Sequence, residues 1–368
     1  MLKQSKRVII SVSNDLVADQ RVHKVASSLM LAGYSVLVVG RKLPGSQGLS
    51  RKYNCQRLTL LFNKGPLFYV ELNIRLFLLL LFSSADIYLA NDLDTLAANY
   101  LASVIRRKPL VYDSHELFTE VPELIDRPNV QKIWKQIEAF ILPRVKYSYT
   151  VCQSIADYYN RKYGIDMKVV RNIPLCKPEI EERPGSVQKS IILYQGSVNI
   201  GRGVDLVIKA LKFLPDAEFH VIGSGDVLDE MKELAKSEIV LGRVKFFGKI
   251  PFEELEKHTR EAALGISLEE NLGLNYYYAL PNKLFDYIHA GVPVLGSDLP
   301  EIAGIINRYK IGRILTDRDP RKVAETIQDM FQQKEKYKAW KENLKIAATE
   351  LCWQNEEKVL LSVFESVT

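Results

Sequence analysis

A chain of 368 residues, 47% apolar and 26% charged, is long and apolar enough to bury two cores of ordinary size, which excludes a disordered or fibrous protein. Four scattered cysteines (Cys55, Cys152, Cys176, Cys352), without a Cys-x-x-Cys pair, exclude a disulfide scaffold and a thiolate metal site and fit a reducing compartment. The net charge of +6 is uneven: residues 1–173 hold 24 Lys and Arg against 14 Asp and Glu, and the remainder 26 against 30. A basic first half with no arginine-rich arm and no zinc or helix-turn-helix spacing points away from nucleic acid and toward an anionic membrane surface or a phosphorylated acceptor.

Met1 to Arg7 is polar and basic, and the apolar run after it has strand length, so no signal peptide is expected. Val8 to Val12 reads as a buried strand. Asp19 to Ala32 reads as a helix ending at Gly33, and Val36 to Val39 as the next strand. Leu67 to Leu89 is strongly apolar, but Glu71 and Arg75 interrupt it and Leu76 to Phe82 is too short to span a bilayer. A buried helix is the expectation; a helix lying in the membrane interface is the other reading. Asp86 to Ala90, Leu110 to Tyr112 and Tyr149 to Cys152 repeat the strand pattern, with helical runs between. Short apolar strands separated by helices predict a parallel sheet covered on both faces.

Residues 173–189 contain prolines, Gly185 and several charges and read as a linker. The alternation then restarts: strand Ile191 to Tyr194, helix Val204 to Leu214, strand Glu218 to Ile222, helix Asp226 to Ala235, strand Val244 to Phe247 and helix Phe252 to Ala262. Leu264 to Leu268 is a further strand, followed by a helix with apolar Leu284, Phe285 and Ile288 on one face, which ends at Gly291 before strand Val292 to Leu295. The fold class is therefore α/β, with two tandem Rossmann-like, doubly wound domains facing a central cleft. The domains are residues 1–172 and 190–353, and a C-terminal helix over about 354–368 packs back on the first. Ligands of such folds gather at the C-terminal ends of the strands.

Five segments carry candidate chemistry. Gln195 to Gly203 ends a strand, holds three glycines and brings Arg202 to a helix start, an arrangement suited to a diphosphate or simply a glycine-rich turn with a surface arginine. Gly223-Ser224-Gly225 follows a strand but lacks the third glycine of a dinucleotide fingerprint, so a tight strand-to-helix turn explains it equally well. Glu269 and Glu270 lie at a strand end and offer carboxylates to sugar hydroxyls. Pro281-Asn282-Lys283-Leu284-Phe285-Asp286 places an amide, a lysine for phosphate and a carboxylate for a ribose in the first turns of a helix. Asp113-Ser114-His115-Glu116 follows a strand, so that His115 can bond a substrate hydroxyl or exchange a proton. Arg21, in Asp19-Gln20-Arg21-Val22, either lines the cleft or pairs with Asp19 or Asp15. The pairs Asp92/Asp94 and Asp317/Asp319 read as helix caps or turns rather than a metal site. No Ser-His-Asp order, Walker lysine or His-Glu-x-x-His motif occurs.

Taken in order, Asp19 to Val22, Asp113 to Glu116, the Gly196 to Gly203 loop, Val221 to Gly225, Val244 to Gly248 and Ala290 to Val294 resemble the family 4 type of GT-B retaining glycosyltransferases, over essentially the whole chain. The lead Pro281 to Asp286 is similar to the branch that serves bacterial surface polysaccharides. The resemblance implies that Arg202 is the basic diphosphate ligand, that Glu270 stands nearest the first glutamate of the family's Glu-x7-Glu element, and that Asp286 replaces the second glutamate at the ribose. It further implies that His115 lies near the transferred sugar, Gly196 in the phosphate loop and Phe247 to Ile250 near the base. Ser197 stands where the family often has arginine, and Lys283 is inferred to supply that charge; strict spacing would put the first glutamate at Tyr278.

The catalytic set is accordingly His115, Glu270, Arg202 and Lys283. The donor set comprises Gly196, Ser197, Arg202, Gly223, Gly225, Phe247, Ile250, Glu269, Glu270, Asn282, Lys283 and Asp286. Asp19, Arg21, His115 and Glu116 form the acceptor side. The reaction expected is metal-independent, cofactor-free transfer of a sugar from a nucleoside diphosphate, UDP before GDP, to a glycan or lipid-linked glycan. Its place is the cytoplasm, at the inner face of the plasma membrane if the basic half meets anionic lipid. A nucleotide-sugar 2-epimerase of the same fold and a non-catalytic nucleotide-sugar binding module are the alternatives.

Overall fold

The computed structural model describes residues 5–17, 19–176 and 190–367. The chain divides into two compact units, Met1–Asn172 with Glu356–Thr368, and Ile173–Asn355. The linker read at 173–189 falls mostly on 177–189, outside the described residues. Its first residue, Ile173, is fully buried in the core of the second unit.

The first unit is one parallel sheet with helical crossovers. In chain order it runs β1 (Arg7–Asp15), α1 (Gln20–Leu31), β2 (Ser35–Lys42), β3 (Asn54–Thr59), α2 (Gly65–Phe82), β4 (Ile87–Asn91), α3 (Leu93–Arg106), β5 (Leu110–Ser114), α4 (Pro122–Ile125), α5 (Pro128–Ile141), β6 (Tyr147–Thr150), α6 (Gln153–Tyr163) and β7 (Lys168–Val169). The strand order is β3-β2-β1-β4-β5-β6-β7, and every pairing is parallel. Val8, Ile9 and Ile10 of β1 are fully buried because helices cover both faces of the sheet. Asp19 caps α1, its carboxylate accepting from the Val22 N–H at 3.0 Å. The chain order reverses between β1 and β4, the place at the C-terminal strand ends where open parallel sheets bind ligands.

The apolar helix α2 is not the buried helix expected from Leu67 to Leu89. Phe68, Leu72, Leu76 and Leu80 are buried at a spacing of four, while Val70, Ile74, Leu78 and Phe82, offset by two residues and so on the opposite face, are exposed. Length and composition would let α2 cross a membrane. As the crossover between β3 and β4 of one sheet, with a buried seam, it lies along the unit instead.

The second unit repeats the plan with β8 (Ser190–Gln195), α7 (Val204–Ala210), β9 (Ala217–Ile222), α8 (Leu228–Ser237), β10 (Val244–Gly248), α9 (Phe252–Glu261), β11 (Leu264–Ser267), α10 (Leu274–Tyr277), α11 (Asn282–His289), β12 (Val294–Ser297), α12 (Pro300–Tyr309), β13 (Gly312–Leu315), α13 (Pro320–Gln332) and α14 (Lys334–Glu350). Its parallel order is β10-β9-β8-β11-β12-β13, with the reversal between β8 and β11. Helix α11 is pinned over that reversal. The Tyr287 hydroxyl donates to the carbonyls of Leu193 in β8 and Ile266 in β11, at 3.1 and 3.2 Å, and a Cβ at Gly265 would come within 2.5 Å of the Tyr287 ring. Gly291, at φ +66°, turns the chain out of α11. A last helix, α15 (Trp353–Val367), passes into the first unit at Glu356, where Glu356 accepts from the Arg171 backbone and guanidinium at 2.8 Å and Phe364 packs edge-on against Tyr34.

Candidate functional site

Each unit gathers charged side chains at its own strand-order reversal. In the first, β4 ends in Asn91 and Asp92 and β5 in Asp113, Ser114 and His115. His115 lies between two carboxylates: Nδ1 is 3.1 Å from Asp92 Oδ2 and Nε2 is 3.1 Å from Asp113 Oδ2. The His115 backbone N–H also donates to Asp92 Oδ1 at 2.8 Å. Asp92 is therefore not the simple helix cap read from sequence. Its φ of +58° with ψ of 169° lies in a region that glycine favours and that costs another residue about 1–3 kcal/mol, and it turns the carboxylate onto the backbone N–H and Nδ1 of His115 rather than onto α3. The neighbouring Asp94 is buried with one oxygen unpartnered among the described residues. The other pair does follow expectation: Asp319 caps α13, accepting from the N–H groups of Arg321 and Lys322.

Arg21 pairs neither with Asp19 nor with Asp15. Its Nε and Nη2 donate to the Asp113 carboxylate at 2.9 and 2.7 Å, and its Nη1 donates to the Val170 carbonyl at 2.8 Å. At 3% exposure it is a positioning residue beneath the site, not a liner of it. Asp19 is spent on capping α1, and Glu116 is half-buried beside Asp92.

These contacts set the charge pattern. Burial alone would raise Asp113, but Arg21 and His115 outweigh it and hold the carboxyl down at about 2. Burial would lower His115, yet Asp92 and Asp113 on either side raise it to about 9. Asp92 has no such cation of its own beyond His115, and burial pushes it up to about 7. At neutral pH His115 is thus a cation clamped in place, with the titrating carboxylate on one side only.

In the second unit the loop after β8 (195–203) and the loop after β11 (268–273) meet. Glu269, fully buried, accepts from Lys283 Nζ at 2.8 Å and from the Ser267 hydroxyl at 2.7 Å, and Arg202 Nη1 stands 3.8 Å away. Burial would raise this carboxyl, and Lys283, Ser267 and Arg202 together bring it below its usual range. Lys283 lies 4.1 Å from the centre of the Tyr194 ring and Arg202 4.6 Å from that of Tyr276, so aromatic faces carry the remaining sides of both cations. Arg202 Nε is buried with no partner among the described residues. Glu270, the carboxylate assigned to the donor sugar, instead pairs with Arg318 at 2.8 Å, a residue outside the sequence reading. Asp286 accepts from Gln195 Nε2 at 2.8 Å, and Gln195 in turn accepts from Thr259.

The glycines have separate tasks. Gly196, at φ +128°, lets the loop pass close over the Lys283 side chain. Gly223 and Gly225 serve the loop's foundation: a Cβ at Gly223 would lie 1.9 Å from the Gly196 carbonyl oxygen, and one at Gly225 2.3 Å from that of Val198. The Gly196 N–H donates to Ile222 O and the Val198 N–H to Ser224 O. The second loop thus braces the first. Ser197 and Asn282 are exposed. Phe247, half-buried, packs between the rings of His220 and His258 at 5.2 and 4.7 Å, with Ile250 beside the same core. Among the described residues no three His, Cys, Asp or Glu side chains are placed to hold a metal ion.

Two family models match this chain one after the other: one described as Glycosyltransferase Family 4 over residues 18–175, and one described as Glycosyl transferases group 1 over residues 177–346. No curated protein sequence matches it. Among solved structures it is similar to a sucrose-phosphate synthase from Thermosynechococcus elongatus (TM-score 0.78, 16% identity, covering 98% of this chain and 99% of the other). It is also similar to HepE from Anabaena in complex with UDP-glucose (0.76, 14%, 98% and 99%). WaaG, a glycosyltransferase involved in lipopolysaccharide biosynthesis, gives 0.68 at 18% identity over 97% and 99%. These likenesses carry the fold, the family matches carry the membership, and the chain is a glycosyltransferase of the GT-B fold and the family 4 kind.

Proposed function

We propose that the second unit binds a nucleoside diphosphate sugar and that the enzyme transfers the sugar to an acceptor hydroxyl with retention at the anomeric carbon. One observation carries the donor reading: Arg202 and Lys283 converge on a single buried carboxylate at the β8/β11 reversal, with Arg202 Nε unpaired. Two cations beside one anion leave a positive surplus where a diphosphate would complete the charge balance. HepE, similar in fold, was solved with UDP-glucose, which supports UDP as the first nucleotide to test.

Reaction begins as the bond between the anomeric carbon and the diphosphate oxygen breaks and its electrons pass to the phosphate. Arg202 and Lys283 stabilise that charge in a site of low dielectric, without a metal; removing one such group should cost on the order of 10²–10³ in rate. The acceptor oxygen bonds to the anomeric carbon on the face the phosphate leaves, and its proton passes to that phosphate. We assign Asp286 to the ribose, Phe247 and Ile250 to the neighbourhood of the base, and His115 to the transferred sugar. Glu270, tethered to Arg318 but about a third exposed, is the glutamate left for a sugar contact, because Glu269 is fully buried and already bonded to Lys283 and Ser267. Glu116 remains on the acceptor side, facing a glycan or lipid-linked glycan, while Asp19 serves that side indirectly by capping the helix that carries Arg21. The setting we assign is the cytoplasm, in surface-polysaccharide synthesis, a role for which the WaaG likeness gives the precedent.

Thermal unfolding with UDP, GDP, ADP and CMP, each with and without chelator, tests the donor reading. A rise in melting temperature with one diphosphate, unchanged by chelator and lost in Arg202→Met and Lys283→Met, supports it. No rise with any of them in folded protein overturns it.

A further inference from the structure

The described surface of the first unit carries a feature with no part in sugar transfer. Down the outer face of α2, Val70, Ile74, Leu78 and Phe82 are exposed, Phe82 at 82%. At the head of this stripe Leu61, 79% exposed, and Phe62 are held beside the helix by Glu71, whose carboxylate accepts both of their backbone N–H groups. At its foot Arg106 Nη2 donates to the Ser83 carbonyl at 3.4 Å, joining the end of α2 to the end of α3. There Leu101, Val104 and Ile105 are exposed in turn, and Tyr100 stacks edge-on with Phe140 of α5, itself exposed. Exposed apolar side chains thus stand on three helices that neighbour one another in turn.

Beside its foot is a cavity of about 510 Å³, lined by Val104 and by four cations: Arg107, Lys108, Arg144 and Lys146. Lys108 is paired with Asp86 at 3.1 Å. Arg107, Arg144 and Lys146 have no carboxylate partner among the described residues. Arg107 holds a φ of +52°, a backbone position where glycine would be less strained. Leu110 and Tyr147 in the cavity wall begin β5 and β6, so the cavity lies at the end of the sheet opposite His115, roughly 16 Å away at about 3.3 Å per residue.

We propose that this face of the first unit docks on an anionic phospholipid bilayer, with the apolar stripe of α2 and α3 entering the interface and the cationic cavity taking a lipid phosphate. Two observations favour lipid over a second copy of the chain. A symmetric pairing would bring the unpaired cations of one copy near those of the other. The stripe is also aliphatic and Phe with arginines and lysines at its foot, the combination by which an interfacial helix enters an anionic headgroup layer. The basic surplus of residues 1–173 acts in the same direction. Unlike a spanning segment, a helix so placed meets the bilayer side-on. The docking does not depend on the donor reading, and the two can fail separately.

Flotation of the full chain with phosphatidylcholine vesicles, with and without phosphatidylglycerol, is the test. Binding is expected only with phosphatidylglycerol and should weaken with salt. Arg107→Glu/Arg144→Glu/Lys146→Glu should lose about a hundredfold or more in affinity, since each cation near an anionic surface accounts for about fivefold. Ile74→Gln/Leu78→Gln/Phe82→Gln should lose the part that survives salt, and the single change Val104→Gln guards against a folding defect in either. All should keep the wild-type melting temperature and its response to UDP. The proposal is overturned if folded wild type stays unbound at low salt, if either triple variant floats as wild type does, or if sedimentation shows a dimer that the Ile74/Leu78/Phe82 variant dissolves.

Discussion

Replacing Glu269 by glutamine is the sharpest test of the charge arrangement in the second unit. The carboxylate holds Lys283 at 2.8 Å and stands 3.8 Å from Arg202, with its own exposure near zero. At an effective dielectric of about 20 those separations correspond to gross attractions of about 6 and 4 kcal/mol. Most of that offsets the desolvation of the ions, so the net loss on removing one partner of a buried pair is about 3–5 kcal/mol. Glutamine keeps the shape and can still accept from Ser267, so the loss reports charge rather than volume. For a unit of this size it should lower the melting temperature by roughly 6–15 °C. A diphosphate should then restore more than it adds to wild type, because it supplies the negative charge that Lys283 and Arg202 have lost. Differential scanning calorimetry with and without UDP reads both effects. A Glu269→Gln protein that melts within 2 °C or so of wild type would refute the counter-ion role. A UDP-induced rise smaller than in wild type would show that Glu269 contacts the ligand instead of balancing its site.

The first unit should lose stability as pH rises. Asp92 has a folded pKa of about 7, above its unfolded value near 4, so its contribution falls between those values. His115 has a folded pKa of about 9, so the stabilisation it provides is complete below about 6.5 and lost by about 9. Unfolding midpoints between pH 5 and 9 should slope downward, and Asp92→Asn should flatten the slope; a level wild-type profile contradicts the network. At the acid end Asp113, held at about 2, adds stability above pH 4 that disappears as pH falls toward 2. Gly223→Ala, with a Cβ 1.9 Å from the Gly196 carbonyl and a φ of +135°, should cost at least about 3 kcal/mol and abolish the UDP response, whereas Gly242→Ala, which meets nothing within 4 Å, should change neither. Arg21→Met strands Asp113 and should cost about 3–5 kcal/mol by urea unfolding; a cost under 1 kcal/mol would mean that the pair is solvated in solution.

Much of the plan was legible because burial writes itself as composition. Parallel strands covered on both faces are runs such as Val8-Ile9-Ile10, and α11 was readable from its period at Leu284, Phe285 and Ile288 and from its terminal glycine, Gly291. Asn54–Thr59 was missed because an edge strand is only half-covered and carries Asn, Gln and Arg. Helix α2 was misjudged because a helix apolar all round has no periodicity to separate its buried seam at Phe68, Leu72, Leu76 and Leu80 from the exposed stripe between. The site was harder still. Glu269 and Glu270 are adjacent and alike in sequence, but neighbouring residues leaving a strand point to opposite sides: one reaches Lys283 and the other Arg318. Arg21 and Asp113 lie 92 positions apart, and nothing local in either segment names the other. The available clue to Asp92 was its place at the end of a fully buried strand beside the reversal of strand order.

The two units solve one electrostatic problem in the same way. In each, a fully buried carboxylate near a strand's C-terminal end is neutralised by a buried cation, Arg21 on Asp113 and Lys283 on Glu269. The residual field of each pair then holds a second, more exposed cation: His115 in the first unit, Arg202 in the second. The exposed cation is fixed without being fully neutralised, which is the state in which it can act on developing negative charge without reorganising. The arrangement separates stability from chemistry. Removing a buried member leaves an uncompensated charge and weakens the fold by several kcal/mol. Removing an exposed member leaves a satisfied buried pair behind it. Arg202→Met should therefore unfold close to wild type while turnover falls on the order of 10²–10³; His115→Gln should show the same fall in turnover and lose only the pH-dependent stability that its charge adds below about pH 9. Arg21→Met and Glu269→Gln should lose stability first. If His115→Gln proves as destabilising as Arg21→Met, the histidine is a structural cation, and the division between buried support and exposed agent does not hold in the first unit.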